Sequence, residues 1–143
     1  MNLLIIEDQY TDYEVARRAL LAVYGDVAHI ERAQSLREAI GLLQTREYDI
    51  IISDLGLPDS EGVDTAKAIM AVAGKTPLIV LSGSTFNSTF EEVLDETIEA
   101  GAKKFIIKAS TNLIKRLPEE VKNLLHSMEI RKELLGFNHG REV

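Results

Sequence analysis

The chain has 143 residues, 45% of them apolar, which is the size of one ordinary domain with enough apolar side chains for a single core. It carries 16 lysines and arginines against 23 aspartates and glutamates, and the resulting net charge of −7 disfavours binding to a nucleic-acid backbone. The absence of cysteine excludes disulfides and thiolate metal sites, and without a signal peptide or membrane-spanning stretch we expect a cytoplasmic domain that binds neither nucleic acid nor membrane.

Five short apolar runs, rich in β-branched residues, predict five buried β-strands. In chain order the runs are Leu3–Ile6, Val27–Ile30, Ile50–Ile52, Leu78–Leu81 and Phe105–Ile107. Apolar residues at helical spacing fill the segments between them, beginning with Val15, Ala19 and Val23 after the first run. Strands separated by helices need crossover connections, so the pattern predicts an α/β fold: a doubly wound, five-stranded parallel sheet with helices on both faces.

The last apolar stripe predicts an extended C-terminal helix over about residues 118–135. Pro118 suits the first turn of a helix, and Gly136 is typical of a helix end. We therefore expect a single domain over residues 1–135, followed by a disordered tail over residues 136–143.

Three carboxylates follow the two strands expected at the centre of the sheet. Glu7 and Asp8 come directly after the first strand, and Asp54 comes after the third. Like charges this close together are tolerated when a hard divalent cation neutralises them, and carboxylate and carbonyl oxygens are ligands that suit Mg²⁺. A single acid at such a position is as often a helix cap or a solvated turn, but three together predict a magnesium site.

Two further polar residues are expected at the same edge of the sheet, since Ser82 follows the fourth apolar run and Lys108 follows the fifth. A carboxylate, a cation site, a hydroxyl and a lysine are the groups needed for phosphoryl transfer to a carboxylate, where positioning and charge neutralisation do most of the catalysis. Singly, such a serine is usually a cap and such a lysine a surface charge. Their order at successive strand ends favours the phosphoryl-transfer hypothesis.

Four segments of the chain, taken in order, resemble the motifs of a known family. They are Leu3-Leu4-Ile5-Ile6-Glu7-Asp8, Asp54-Leu55-Gly56-Leu57-Pro58-Asp59-Ser60-Glu61-Gly62, Leu78-Ile79-Val80-Leu81-Ser82-Gly83, and Gly101-Ala102 through Lys108. Over about residues 1–125 the chain resembles a response-regulator receiver domain, the phosphoacceptor domain of two-component signalling, similar to chemotaxis regulators. The resemblance implies the flavodoxin-like strand order 2-1-3-4-5.

The resemblance also implies a role for each acidic residue. Asp54 would be the phosphorylated aspartate, and Glu7 and Asp8 would be the metal-binding pair. Asp54 would also contact the metal, and Gly56 would offer its backbone carbonyl, so the implied cofactor is Mg²⁺.

By the same resemblance, Ser82 would hydrogen-bond the phosphoryl oxygens and Lys108 would pair with them. Phe105 stands at the position of an aromatic residue that changes rotamer in the family, although simple core packing explains it equally well. Ala109 departs from the family, because receivers usually carry a proline behind a cis peptide bond there. The geometry of the Lys108–Ala109 bond stays open at this point.

The implied function is a signalling switch that takes its phosphoryl group from a phosphohistidine on a sensor histidine kinase or a histidine phosphotransfer protein. Such a domain is not a turnover enzyme, and it could form a homodimer through its fourth or fifth helix. An alternative is a pseudo-receiver that binds a partner constitutively, which the alanine at position 109 favours. An aspartyl phosphatase would usually need a second acid at position 56, where this chain has Gly56. A flavin carrier would need a phosphate-binding loop after the first strand, and Glu7 and Asp8 would repel the phosphate there.

Overall fold

The computed structural model describes residues 1–83, 90–108 and 113–142, with side chains described up to residue 129. Five parallel strands form one sheet in the order β2-β1-β3-β4-β5. The strands are β1 (Asn2–Ile6), β2 (His29–Ala33), β3 (Ile50–Asp54), β4 (Leu78–Ser82) and β5 (Lys104–Ile107). The helices are α1 (Tyr10–Tyr24), α2 (Leu36–Thr45), α3 (Val63–Ala73), α4 (Phe90–Glu99) and α5 (Leu113–Glu142). The predicted fold class and strand order are confirmed.

The core has two layers, one on each face of the sheet. Successive residues of the central strands point to opposite faces, so Leu3 and Ile5 join one layer while Leu4 and Ile6 join the other. Helices α1 and α5 cover the first face, and helices α2, α3 and α4 cover the second. Because both faces are buried, the central strands have no polar alternation and appear in the sequence as continuous apolar runs.

Strand β2 does not lie where the apolar run Val27–Ile30 predicts it. A 3-10 turn occupies Gly25–Val27, and the strand itself begins at His29, which pairs with Asn2 of β1. The prediction was wrong because β2 is an edge strand, with β1 as its neighbour in the sheet, and its residues are less buried than those of the central strands. This shift brings Arg32 to the carboxyl edge of the sheet, beside Ile5 and Ala33.

Of the stripe expected to be buried in helix α1, only Ala19 is buried. Ala16, Ala19 and Leu20 are buried, whereas Val15 and Val23 are 43% and 61% exposed. The two candidate stripes are one residue apart along the helix. The observed stripe places a small alanine against the sheet and lets a leucine fill the core beside it.

Helix α5 is longer than predicted at both ends. It begins at Leu113, with Pro118 inside it, because Leu113, Leu117 and Val121 form a buried stripe that starts before the proline. At the other end the helix continues past Gly136 to Glu142, beyond the predicted end at residue 135, and a glycine inside a helix costs only about 1 kcal/mol. The disordered tail over residues 136–143 stays a prediction. Despite its length, α5 is not apolar enough to cross a membrane, and neither is any other helix in the described part of the chain.

Candidate functional site

The sheet topology brings Glu7, Asp8 and Asp54 together. Strands β1 and β3 are neighbours, with Ile6 paired to Ser53, so the residues that follow this pair lie side by side at the carboxyl edge. One oxygen from each of the three carboxylates lies within 4.8 Å of the others. The cluster contains only oxygen ligands, and its charge is what a hard divalent cation would neutralise.

Glu7 is the most deeply buried of these acids, with its residue only 2% exposed. Its Oε1 accepts a hydrogen bond from the backbone N–H of Gln9 at 3.1 Å, and its Oε2 accepts one from the ammonium of Lys108. Burial raises the pKa of Glu7 above its ordinary value, and the hydrogen bond and charge of Lys108 oppose that rise. A buried carboxylate in this position needs cationic partners to stay ionised.

Lys108 follows β5 and reaches across the end of β4 to this cluster. Its backbone N–H donates to the carbonyl of Ser82 at 2.8 Å, which fixes where its side chain begins. Besides Glu7, its Nζ donates to Oδ2 of Asp54 at 2.9 Å and to Oδ2 of Asp12 at 3.1 Å. Burial alone would lower the pKa of Lys108, but Glu7 and Asp54 raise it above its ordinary value. The Lys108–Ala109 peptide bond lies outside the described residues.

A cavity of about 590 Å³ opens beside Asp54. Ser82 and Gly56 line it together with Asp54, and the described part of its wall also includes Phe90. The side chain of Asp54 is 16% exposed, and its Oδ1 accepts a long hydrogen bond of 3.3 Å from the backbone N–H of Gly56. The carboxylate therefore borders a space large enough for a small anionic group, and Ser82, which bears a hydroxyl, also lines that space.

Phe105 is buried in β5 and touches α4. Its ring meets that of Phe90 edge to face, with centroids 5.8 Å apart and an angle of 79° between the planes. Because Phe90 also lines the cavity, this contact joins the wall of the cavity to the last strand of the sheet.

The loop between β3 and α3 is held from two sides. Oδ1 and Oδ2 of Asp59 accept hydrogen bonds of 2.9 Å each from the backbone N–H groups of Leu36 and Arg37, at the start of α2. The hydroxyl of buried Thr65 donates to the carbonyl of Leu55 at 2.8 Å. The two hydrogen bonds from the start of α2 lower the pKa of Asp59. Together with the Thr65 contact, they hold both ends of the segment that carries Gly56.

Sequence reasoning missed two residues that support the acidic cluster. One is Asp12, in the first turn of α1, which contacts Lys108. The other is Arg32, whose guanidinium donates to the backbone carbonyls of Glu7 and Asp8 at 3.1 Å each. The sequence does show Asp12 four residues after Asp8, and this spacing was the signal that could have found it. The position of Arg32 could not be predicted in the same way, because it depends on where β2 ends.

The guanidinium of Arg32 is itself held by two aromatic rings of α1. It lies 4.9 Å from the centroid of Tyr13 and 5.6 Å from that of Tyr10. The rings pack against the guanidinium, which in turn hydrogen-bonds the backbone that carries the first two acids.

Comparison with known proteins agrees with this arrangement. The family model of the response regulator receiver domain matches residues 3–121, which is most of the chain. The chain belongs to this family. The receiver-domain match includes the five strands of the sheet, apart from Asn2 at the start of β1, and every residue of the acidic cluster and the cavity.

Two curated relatives are transcriptional regulators. The receiver domain is 34% identical over 107 residues to the KDP operon transcriptional regulatory protein KdpE of Escherichia coli, covering 75% of this chain and 44% of KdpE. It is 31% identical over 85 residues to the cell cycle transcriptional regulator CtrA of Caulobacter vibrioides, covering 59% of this chain and 36% of CtrA. The chain thus spans less than half the length of either relative.

Solved structures share the fold. A two-component response regulator from Clostridium difficile superposes with a TM-score of 0.76 at 22% identity, covering 90% of this chain and 98% of that one. The chemotaxis response regulator CheY4 of Vibrio cholerae gives 0.70 at 22% identity, covering 86% and 97%. At 22% identity this similarity establishes the shared fold, and it does not assign a role to any residue.

Proposed function

We propose that this receiver domain is a phosphoacceptor switch whose acceptor is Asp54. The observation that carries the proposal is the position of Asp54 between the ammonium of Lys108, at 2.9 Å, and an open cavity lined by Ser82. Receiver domains are signalling switches and not turnover enzymes, so the proposed reaction is a single transfer onto the domain itself.

In the proposed step, a carboxylate oxygen of Asp54 attacks the phosphorus of the donor. A new bond forms between that oxygen and phosphorus, and the bond from phosphorus to the donor's leaving group breaks, which leaves an acyl phosphate on Asp54. With a phosphohistidine donor the leaving group is the imidazole nitrogen, which keeps the bonding electron pair. Such a donor would belong to a sensor histidine kinase or a histidine phosphotransfer protein.

The residues present fit Mg²⁺. Glu7, Asp8 and Asp54 would supply carboxylate oxygens, since their ligand atoms lie within 4.8 Å of one another, and Gly56 would supply a backbone carbonyl. When bound, the cation would neutralise charge on the acceptor and on the phosphoryl oxygens. Burial of Glu7 beside two other acids supports this assignment, because a second positive charge next to Lys108 would relieve the repulsion among them.

Lys108 and Ser82 would hold the phosphoryl group once it is attached. The ammonium already touches Asp54 and can pair with a phosphoryl oxygen, and the hydroxyl of Ser82, which lines the cavity, can donate to another. Movement of Ser82 toward the new charge would change the cavity wall, and the Phe90–Phe105 contact would carry that change to β5. Dimerisation through α4 or α5, and a domain extent of residues 1–135, stay predictions.

Intact-protein mass spectrometry tests the proposal. The chain is incubated with Mg²⁺ and a small acyl-phosphate donor, alongside Asp54→Asn and the control Asp64→Asn, which removes an exposed acid from the first turn of α3. We expect one phosphoryl group on the wild-type chain and on the control, dependent on Mg²⁺, and none on Asp54→Asn. Binding of Mg²⁺ without an adduct from this donor or from phosphohistidine would instead support the pseudo-receiver alternative.

A further inference from the structure

The ammonium of Lys108 has no spare donor in this structure. A protonated lysine has three N–H groups, and Nζ of Lys108 is hydrogen-bonded to three carboxylates, those of Glu7, Asp12 and Asp54. For Lys108 to bind a phosphoryl oxygen, one of these hydrogen bonds has to break. The carboxylate that gives up its hydrogen bond is the one that competes with the phosphoryl group for Lys108.

The three carboxylates differ in what it costs to release them. The side chain of Glu7 is 3% exposed and would be left as an uncompensated buried charge. Asp54 is the proposed acceptor, and as an acyl phosphate it would keep a carbonyl oxygen that can still accept from Lys108. The side chain of Asp12 is 46% exposed, so water can replace Lys108 as its partner at little cost.

Asp12 also differs from the other two in its position. It lies on α1, and it is not one of the three acids whose oxygens cluster within 4.8 Å among the described residues. A cation bound at that cluster would therefore contact Glu7 and Asp54 but not Asp12. The negative charge of Asp12 would remain next to Lys108 and would compete directly with an incoming phosphoryl oxygen.

We infer that Asp12 is a positioning residue that holds Lys108 in the unphosphorylated state and competes with the phosphoryl group for its ammonium. The inference rests on the proposed function of Asp54 and names a regulator of that same site. In the unphosphorylated domain Asp12 draws Lys108 toward α1. In the phosphorylated domain Asp12 turns to solvent and the freed N–H goes to the phosphoryl group. Asp12 thus opposes phosphorylation and shortens the lifetime of the acyl phosphate.

The test compares four proteins at saturating Mg²⁺: the wild type, Asp12→Asn, Asp12→Glu and the charge-matched control Glu14→Gln. Glu14 lies on the same helix and pairs with Arg17 and Arg18 instead of Lys108. Phosphorylation by a small acyl phosphate is followed by intact mass across donor concentrations, and the loss of the adduct is followed after donor removal. Titration with beryllofluoride, a phosphoryl analogue, measures equilibrium affinity without a chemical step.

Asp12→Asn is expected to raise the maximal phosphorylation rate, the adduct half-life and the beryllofluoride affinity by about two- to fivefold, as expected for release of a half-exposed ion pair. Asp12→Glu keeps the carboxylate and should stay close to the wild type, as should Glu14→Gln. Unchanged or lower values for Asp12→Asn, or a change confined to the donor concentration at half-maximal rate, would overturn the inference. A wild-type chain that forms no adduct would overturn the proposed function itself, and the inference with it.

Discussion

Nζ of Lys108 lies 2.9 Å from Oδ2 of Asp54, although Asp54 ends β3 and Lys108 follows β5, and these strands are not neighbours in the sheet. Strand β4 separates β3 from β5, and Lys108 crosses its end while its backbone is tied to the carbonyl of Ser82. The contact therefore requires three consecutive parallel strands to end at the same level. Any change that shifts β5 relative to β3 would move the cation away from the acceptor.

The first prediction concerns the stability that Lys108 provides. Lys108→Met keeps the length of the side chain but leaves Glu7 and Asp54, which are 3% and 16% exposed, without their cation. Without Mg²⁺, we expect the free energy of unfolding to fall by about 3 kcal/mol, the cost of an unpaired buried charge. Urea unfolding followed by circular dichroism in chelator measures it.

Mg²⁺ should reverse much of this loss, because the variant has a more negative site and should bind the cation more tightly than the wild type. Lys103→Met is the matched control, since the side chain of Lys103 is exposed and its loss should matter little. Equal stability of the Lys108 and Lys103 variants in chelator would contradict the assigned role of Lys108.

A second prediction concerns pH and the start of α2. Backbone hydrogen bonds from Leu36 and Arg37 lower the pKa of Asp59 below its ordinary value of 3.8. A carboxyl with a lowered pKa in the folded state contributes stability above pH 3.8, and this contribution is lost as the pH falls through the lowered value. Asp59→Asn should therefore be less stable than the wild type at neutral pH.

The difference between Asp59→Asn and the wild type should shrink as the pH falls below 3.8. Thermal unfolding from neutral to acidic pH measures it, and Asp64→Asn, an exposed acid of α3, should show a smaller difference throughout. A stability difference that stays constant across this range would mean that the carboxylate of Asp59 is not the group responsible.

A third prediction concerns Arg32 and the metal ligands. Arg32 supports the backbone carbonyls of Glu7 and Asp8 with two hydrogen bonds, a geometry that a lysine cannot reproduce. Both Arg32→Lys and Arg32→Gln should lower the affinity for Mg²⁺ by about tenfold, as is common when a group that orients metal ligands is lost. Titration calorimetry with Mg²⁺ measures the affinity directly.

The two substitutions distinguish the effect of the hydrogen bonds of Arg32 from the effect of its positive charge. If Arg32 acted only through its positive charge, Arg32→Gln would bind Mg²⁺ more tightly than the wild type and Arg32→Lys would bind it equally well. That pattern would show that the hydrogen bonds to the two carbonyls do not orient the acids.

Much of the fold and of the site could be predicted because a buried parallel sheet constrains both the composition of its strands and the position of the residues that follow them. Buried central strands need continuous apolar runs, and the residues that follow such runs meet at one edge of the sheet. This reasoning alone placed Glu7, Asp8 and Asp54 together and added Ser82 and Lys108. It required no knowledge of how any side chain is oriented.

The parts that could not be predicted depend on weaker local signals. Strand β2 is an edge strand of mixed polarity, so its bounds were misplaced and the role of Arg32 was hidden with them. Asp12 is a common helix-start residue, and only the reach of Lys108 from the far side of the sheet makes it more than that. Pro118 failed as the helix start because the buried stripe of Leu113, Leu117 and Val121 begins before it, and Gly136 failed as the helix end because a glycine inside a helix costs only about 1 kcal/mol.

The identity of the acceptor is the central claim, and chemical mapping of the phosphoryl group tests it most directly. After phosphorylation with Mg²⁺ and an acyl-phosphate donor, borohydride reduction converts an aspartyl phosphate to homoserine, which peptide mass spectrometry then locates. We predict homoserine at position 54 and not at Asp8, Asp12 or Asp59. Homoserine at any other position, with Asp54 intact, would contradict the account.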